Sequence, residues 1–356
     1  MITPKSPCDR PVTVIAQQGN DTMPRLIPSD ALDEETTYLD PGQRRPRRLN
    51  DRQLHKPKVD RRMVRASVQG DGRRGVSADL VLADGLDASS EERAYLTEQL
   101  GPFFREKKIV SVLRRVKGGK EANVYCCTAH PDTGLDLIAA KVYRSREFRN
   151  LKNDSLYRQG RAVLNTRGEV IDLAHDWRLA KAIQGKSRKG LEVTQGSWVA
   201  HEYQTIARLQ KAGVSVPIPI ANSNHAFLME YWGEIGLPAP TLHLVRLDDD
   251  EAPALFEQSV ADIGVMLRQG VIHGDLSAYN ILYWEGRTAI IDFPQVVDPD
   301  TNPDARVIFG RDVERICDYF KRYGVRADPR RIAGDLWADR QAPPPLPVET
   351  LDEEQG

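Results

Sequence analysis

The 356-residue chain predicts an α+β fold of two unequal lobes, a small β-rich one followed by a mainly helical one. Three observations carry this. Apolar segments of strand length cluster at Asn123–Thr128 and Leu137–Tyr143, with one more at Ala226–Trp232. Helical periodicity marks Trp198–Ala212, Ala252–Gln269 and Arg311–Tyr323. Residues 1–88 are polar, rich in Pro, Arg and Asp, and without extended period, so they are predicted to be a disordered basic region. Residues 89–232 then hold an N-terminal helix and the β-rich lobe, 233–340 a short helical lobe, and 341–356 a Pro-rich acidic tail.

Order is predicted to begin at Ser89-Ser90, either of which can cap a helix whose first turn carries Glu91 and Glu92. That helix is expected to reach about Leu100, with Gly101-Pro102 ending it. Ile109, Val110, Val112 and Leu113 fit a strand or a short helix equally. The strands Asn123–Thr128 and Leu137–Tyr143 form a hairpin across the turn Pro131-Asp-Thr-Gly134. Residues 144–195 are long, charged and weakly periodic, with a helix at His175–Ile183. In the Trp198–Ala212 helix, Val199, Tyr203, Ile206 and Leu209 share a face, and Gly213 stops it. Val216-Pro-Ile-Pro219 is an extended linker. Gly233–Pro240 is a hinge-like loop, and the Ala252–Gln269 helix turns Leu255, Val260, Ile263 and Leu267 inward.

Bulk numbers exclude more than they assign. A net charge of −1 names no partner. The four cysteines, Cys8, Cys126, Cys127 and Cys317, have no metal-ligand spacing and read as reduced cytosolic thiols. There is no apolar run long enough to span a membrane and no secretory h-region, so a cytoplasmic protein is expected. Residues 44–74 concentrate arginine and lysine, and contact with RNA or the ribosome through them is one expectation, a solvated tail the other.

Val271-Ile-His-Gly-Asp-Leu-Ser-Ala-Tyr-Asn-Ile-Leu-Tyr283 and Ala289-Ile-Ile-Asp-Phe-Pro294 carry the chemistry. Asp275 can orient a hydroxyl and take its proton. Asn280, five residues on, and Asp292, twelve beyond that, offer hard oxygens of the kind Mg²⁺ prefers. Lys141, centred in an apolar strand, needs a partner if its ammonium is buried, and Glu202 on the 198–212 helix is the candidate, ahead of Glu169 and Glu192. Gly119 and Lys120 lie in a glycine-containing turn where backbone amides can approach phosphate. Together these spacings match the protein-kinase template for Mg²⁺-ATP. On it, Met229, Glu230 and Tyr231 end the strand that pairs with adenine, Val124 and Ala139 cover the base, and Ile281, Leu282 and Ile291 lie beneath it or belong to the core. Pro294 stands where a glycine would give a mobile activation-loop start, so a stiffer segment is expected. With few residues after Asp292, no large substrate-binding subdomain is expected.

Over about residues 105–325 the chain resembles the RIO family of atypical serine/threonine protein kinases. The carrying motifs are Gly119-Lys-Glu-Ala-Asn-Val-Tyr125, Ala140-Lys-Val-Tyr143, Ala212-Gly-Val-Ser-Val-Pro-Ile-Pro219, His273-Gly-Asp-Leu-Ser-Ala-Tyr-Asn280 and Ile291-Asp-Phe-Pro-Gln295. The resemblance implies a bilobal protein-kinase-like fold with a truncated C-terminal lobe. It also implies Mg²⁺-ATP, a protein serine substrate that includes the chain itself, and a flexible loop, which residues 144–165 with Tyr157–Arg161 match. Asp275 becomes the catalytic Asp, Lys141 the phosphate lysine, Glu202 its partner, and Asn280 and Asp292 the metal ligands; Asp292 could also accept phosphate in an ATPase-like cycle. Residues 165–195 read as an insertion, and the branch without a winged-helix domain fits best. The alternative is a small-molecule phosphotransferase of the aminoglycoside or choline kinase type, which shares the His-Gly-Asp segment.

Overall fold

The computed structural model describes residues 80–119, 121–144, 162–248 and 250–340, together with the backbone of 25–26. The basic stretch 44–74, Lys120, the segment Tyr157–Arg161, the tail 341–356 and most of the region 1–88 expected to be disordered lie outside the described residues. Residues 80–88 depart from that expectation: Val81–Leu82 joins the sheet and Leu80 and Leu86 are buried in its core, because this short apolar run pairs with a neighbouring strand.

The β-rich part is a six-stranded sheet in the order β2–β3–β4–β5–β7–β6, formed by Val81–Leu82, Ile109–Gly118, Ala122–Ala129, Leu137–Tyr143, Ala226–Glu230 and Pro219–Asn222 respectively. All neighbours are antiparallel except β2 and β3. The ambiguous run at 109 is thus a ten-residue strand, because a partner on each side completes its ladder. β4 alternates as a two-residue period demands. Cys127 packs with Leu96, Leu100 and Phe103 on one face, and Cys126 with Ala139 and Tyr231 on the other. Short pairs complete the strands: β1 (Arg25–Leu26) with β10 (Val245–Arg246), β8 (Gly233–Glu234) with β9 (Leu237–Pro238), and β11 (Ile281–Trp284) with β12 (Arg287–Ile290). The expected hinge-like loop at 233–240 is therefore in part the β8–β9 hairpin, and part of the expected linker opens β6.

Helix α1 (Ser90–Arg105) begins as expected, with the Ser89 hydroxyl accepting from Glu92 N. It does not stop at Gly101-Pro102 but runs on to Arg105. Proline deletes only its own N–H bond and disturbs one carbonyl a turn back. The extra turn buries Phe103, 1% exposed, beneath the sheet, and a buried phenyl ring contributes about 1.5–3 kcal/mol.

Helix α2 (Trp177–Gln184) leads into α3 (Arg188–Lys211), capped by Ser187. α3 starts ten residues before the predicted Trp198. Its polar first half lacks apolar periodicity and is held by packing on α2, where a Cβ on Gly190 would collide with the Ala182 backbone. Glu192 therefore does lie on the helix, but exposed, as is Glu169. Helices α4 (Ala252–Arg268), α5 (Ala305–Lys321) and α6 (Pro329–Asp339) form the second lobe. Its core joins Phe256, Ile263, Met266 and Leu267 of α4 to Phe309, Val313, Ile316 and Phe320 of α5. α6 was not anticipated; its period is short, and it opens at Asp328-Pro329 in a polar stretch.

Candidate active site

Lys141, on β5 opposite Val124 and Phe227, places its ammonium between two carboxylates. Nζ lies 2.6 Å from Glu202 Oε1 and 2.7 Å from Asp292 Oδ1. The Glu202 side chain is 1% exposed and that of Asp292 42%. Burial alone would lower the Lys141 pKa, but Asp292 and Glu202 outweigh it and raise it. Burial likewise pushes Asp292 up, yet the Lys141 charge brings it below the usual carboxylate range. Glu202 is pushed upward by its burial, against the pull of Lys141. Lys141 is thus held between two carboxylates, Glu202 from the interior and the more open Asp292 from the cleft side. Glu202 is itself fixed at both oxygens: Phe293 N donates to Oε1 at 3.2 Å and the Tyr143 hydroxyl to Oε2. Tyr143, two residues beyond Lys141 on the same strand face, was not singled out from the sequence; its period-two spacing was the available signal.

Asp275 stands on a loop whose shape is imposed from α5. The Asp312 carboxylate, 2% exposed, accepts from Gly274 N at 2.8 Å and from Leu276 N at 3.2 Å. Arg311 donates to Gly274 O, and Arg315 Nη1 lies 2.7 Å from Asp275 Oδ1. Gly274 sits at φ +83, where a Cβ would also collide with Gln295 O, so the His-Gly-Asp glycine is a steric requirement. His273 is buried; its Nδ1 accepts from Asp275 N and its Nε2 faces Ile291 O at 3.1 Å. Those contacts require the neutral ring with the proton on Nε2, and burial lowers its pKa accordingly. His273 therefore links the Asp275 loop to the Asp292 strand end.

Asn280 Nδ2 donates to Asp275 O at 2.8 Å, and Ile291 N donates to Asn280 O at 2.9 Å. With its nitrogen committed, the amide keeps Oδ1 as its acceptor. Asp292 adopts φ +72, a left-handed conformation that Asp tolerates better than most residues. Asn280 Oδ1 and the half-open Asp292 carboxylate are the donor type Mg²⁺ takes. Among the described residues no group of three His, Cys, Asp or Glu side chains could hold a metal, so an ion held by Asn280 and Asp292 would take its other ligands from phosphate or water. Mg²⁺ accepts that, since it keeps several waters and binds by one or two carboxylates with phosphates.

The residues assigned to the base also gather. Val124, Ala139, Met229 and Tyr231 belong to one small apolar cluster with Cys126. The Met229 position is paired within the sheet and Glu230 N donates to Ile218 O, so Tyr231 is the first residue past the β7 ladder. Leu282 and Ile291 are half-buried, whereas their neighbours Ile281 and Ile290 enter the core. Gly119 N donates weakly to Asn123 Oδ1 at 3.4 Å, and a Cβ on Gly119 would lie 2.7 Å from Ala122 O. Asn123 Nδ2 in turn reaches Glu92 Oε1 and the Tyr125 hydroxyl, which also donates to Glu92. The Asn and Tyr of the glycine-loop motif thus anchor the loop to α1, a role their spacing did not disclose.

The comparisons agree with this architecture. A model of the RIO domain matches residues 156–332. Over 135 residues the chain is 32% identical to the RIO-type serine/threonine-protein kinase Rio1 of Thermoplasma acidophilum, covering 38% of this chain and 69% of that protein. It is 30% identical over 213 residues to the protein of the same name from Haloferax volcanii, covering 60% and 64%, and 37% identical over 233 residues to the serine/threonine-protein kinase rio2 of Schizosaccharomyces pombe, covering 64% and 58%. The chain belongs to the RIO family. It spans less than two thirds of the length of the Haloferax and Schizosaccharomyces relatives. No helix among the described residues is long and apolar enough to cross a membrane.

Proposed function

We propose that this protein is an Mg²⁺-ATP-dependent serine protein kinase whose acceptors include the chain itself. The observation that carries the reading is the convergence of Lys141, Glu202 and Asp292 from positions 61 and 151 residues apart in sequence. Lys141, held from behind by Glu202, would bind the α- and β-phosphates through charge-assisted hydrogen bonds. Asn280 and Asp292 would hold Mg²⁺, which offsets phosphate charge during transfer. Asp275 would orient the serine hydroxyl and accept its proton, and Tyr231 with Val124, Ala139, Met229, Glu230, Leu282 and Ile291 would enclose adenine. Gly119, with Lys120, would lie over the phosphates.

Tyr279, next to Asn280, is 60% exposed and stacks on His243, an aromatic surface beside the site that supports a protein acceptor over a small enclosed alcohol. We place the chain in the cytoplasm, in keeping with the free, buried Cys126, Cys127 and Cys317. We assign it to the branch with a short helical N-terminal extension, for which α1 supplies the helix. Contact with RNA or the ribosome through 44–74 rests on composition alone.

The test is incubation of the full chain with [γ-³²P]ATP, with and without Mg²⁺, followed by analysis of where label resides. Label on serine that requires Mg²⁺ and disappears in Asp275→Asn is expected. Acid-stable transfer unaffected by that substitution would remove the assignment. Label on Asp292 or free phosphate alone would redirect it to an ATPase cycle.

A further inference from the structure

We infer that Arg315 is a positioning residue for the phosphoryl-acceptor side of the site, aiming the Asp275 carboxylate at the incoming hydroxyl; this rests on the reading of Asp275 as the catalytic Asp. The argument begins with one turn of α5. Arg315 stands three residues beyond Asp312 and four beyond Arg311, so it neighbours both on the helix surface. Between them they grip the peptide 274–276 at four atoms: Gly274 N, Gly274 O, Leu276 N and Asp275 Oδ1.

The first three grips fix backbone only. They leave the Asp275 side chain its own torsions, of which the terminal one is broad for aspartate. Arg315 removes that freedom by holding Oδ1 at 2.7 Å. Among the described residues Oδ2 accepts no hydrogen bond, so it is the oxygen presented to a hydroxyl. A guanidinium suits the task because it stays charged at every working pH and its planar donor set keeps a fixed direction.

The exposure of the pair separates this role from a structural one. The side chains are 39% and 47% exposed, and an ion pair this open contributes little to stability. Asp312 and Arg311 already secure the loop. What Arg315 adds is orientation, and misplacing a reacting group by about 1 Å can cost about 100-fold in rate.

Three variants of the full chain test it, each assayed for Mg²⁺-dependent ³²P transfer to protein serine and for thermal unfolding. In Arg315→Gln, kcat should fall about 10–100-fold while KM for ATP stays within about twofold and the unfolding midpoint barely moves. Arg315→Lys should recover only part of the loss, since a flexible point charge does not reproduce the fork. Arg315→Gly should regain activity when guanidinium ion is added at concentrations below denaturing, whereas Asp275→Asn should not. A kcat for Arg315→Gln equal to or above that of the parent would overturn the inference, as would a defect confined to KM for ATP or the absence of guanidinium rescue. Should Asp275→Asn keep full turnover, the catalytic reading of Asp275 itself falls; should it be inactive while Arg315→Gln is fully active, only the role of Arg315 falls.

Discussion

Replacing Lys141 with Met should destabilise the protein in a pH-dependent way whose size follows from the site. The substitution keeps the apolar stem and deletes the ammonium that lies 2.6 Å from Glu202 and 2.7 Å from Asp292. Asp292 is exposed enough to rehydrate. Glu202, 1% exposed, would be an uncompensated buried carboxylate, a state costing several kcal/mol. Its escape is to bind a proton, as its already raised pKa anticipates. Taking the unfolded value as 4.5, protonation at pH 7 costs at most about 3 kcal/mol, at about 1.4 kcal/mol per pH unit. The sign follows from linkage. A carboxyl whose folded pKa is raised contributes stability below its unfolded pKa and loses it as pH rises. The deficit of the variant should therefore be under about 1 kcal/mol at pH 5 and approach about 3 kcal/mol at pH 7, or about 6–12 °C in the unfolding midpoint. Adding Glu202→Gln should close most of the gap and flatten it, because the stranded charge is gone. Thermal unfolding monitored by circular dichroism from pH 5 to 8 reads all three proteins. A deficit that does not change with pH, or a double variant no better than Lys141→Met, would refute the buried triad.

Three further outcomes follow from the loop and its supports. Gly274→Ala should lower kcat sharply and cost about 1–3 kcal/mol in unfolding, since both the φ of +83 and the Gln295 carbonyl oppose a side chain. Burial pushes the Asp312 carboxyl up to about 6 from 3.8, against the opposing pull of the Gly274 and Leu276 amides and Arg311. Its contribution is thus full below about pH 4 and lost as pH rises through 6, so Asp312→Asn should gain on its parent by up to about 3 kcal/mol between pH 4 and 7 in denaturant titrations. Tyr143→Phe removes the hydroxyl on Glu202 Oε2 and should cost about 1–3 kcal/mol in thermal unfolding while raising KM for ATP in steady-state assays.

Much of the site was legible because its residue types are chemically constrained. Asp275, Asn280 and Asp292 stand at the spacing the kinase template requires, and Lys141 stands out as a charge in an apolar strand whose partner had to come from elsewhere. The hairpin and the α3 and α4 helices were legible for a similar reason, since one buried face imposes a period. The misreadings share a different cause. Pro102 signals a stop locally, but the burial of Phe103 beneath the sheet decides otherwise. The first half of α3 carries no apolar stripe because it packs glycine against α2. Nothing local in the sequence marks Arg311, Asp312 or Arg315, and only the tertiary placement of α5 turns them towards the Asp275 loop. Glu92 reaches Asn123 across 31 residues, a distance no local pattern encodes.

The most direct test of the whole account is a structure of the full chain with Mg²⁺ and a non-hydrolysable ATP analogue. The account requires the triphosphate to contact Lys141 Nζ, the ion to rest on Asn280 Oδ1 and Asp292, and the γ-phosphoryl group to face Asp275. A nucleotide bound away from that cluster, or Lys141 turned from it while ATP is held elsewhere, would contradict it.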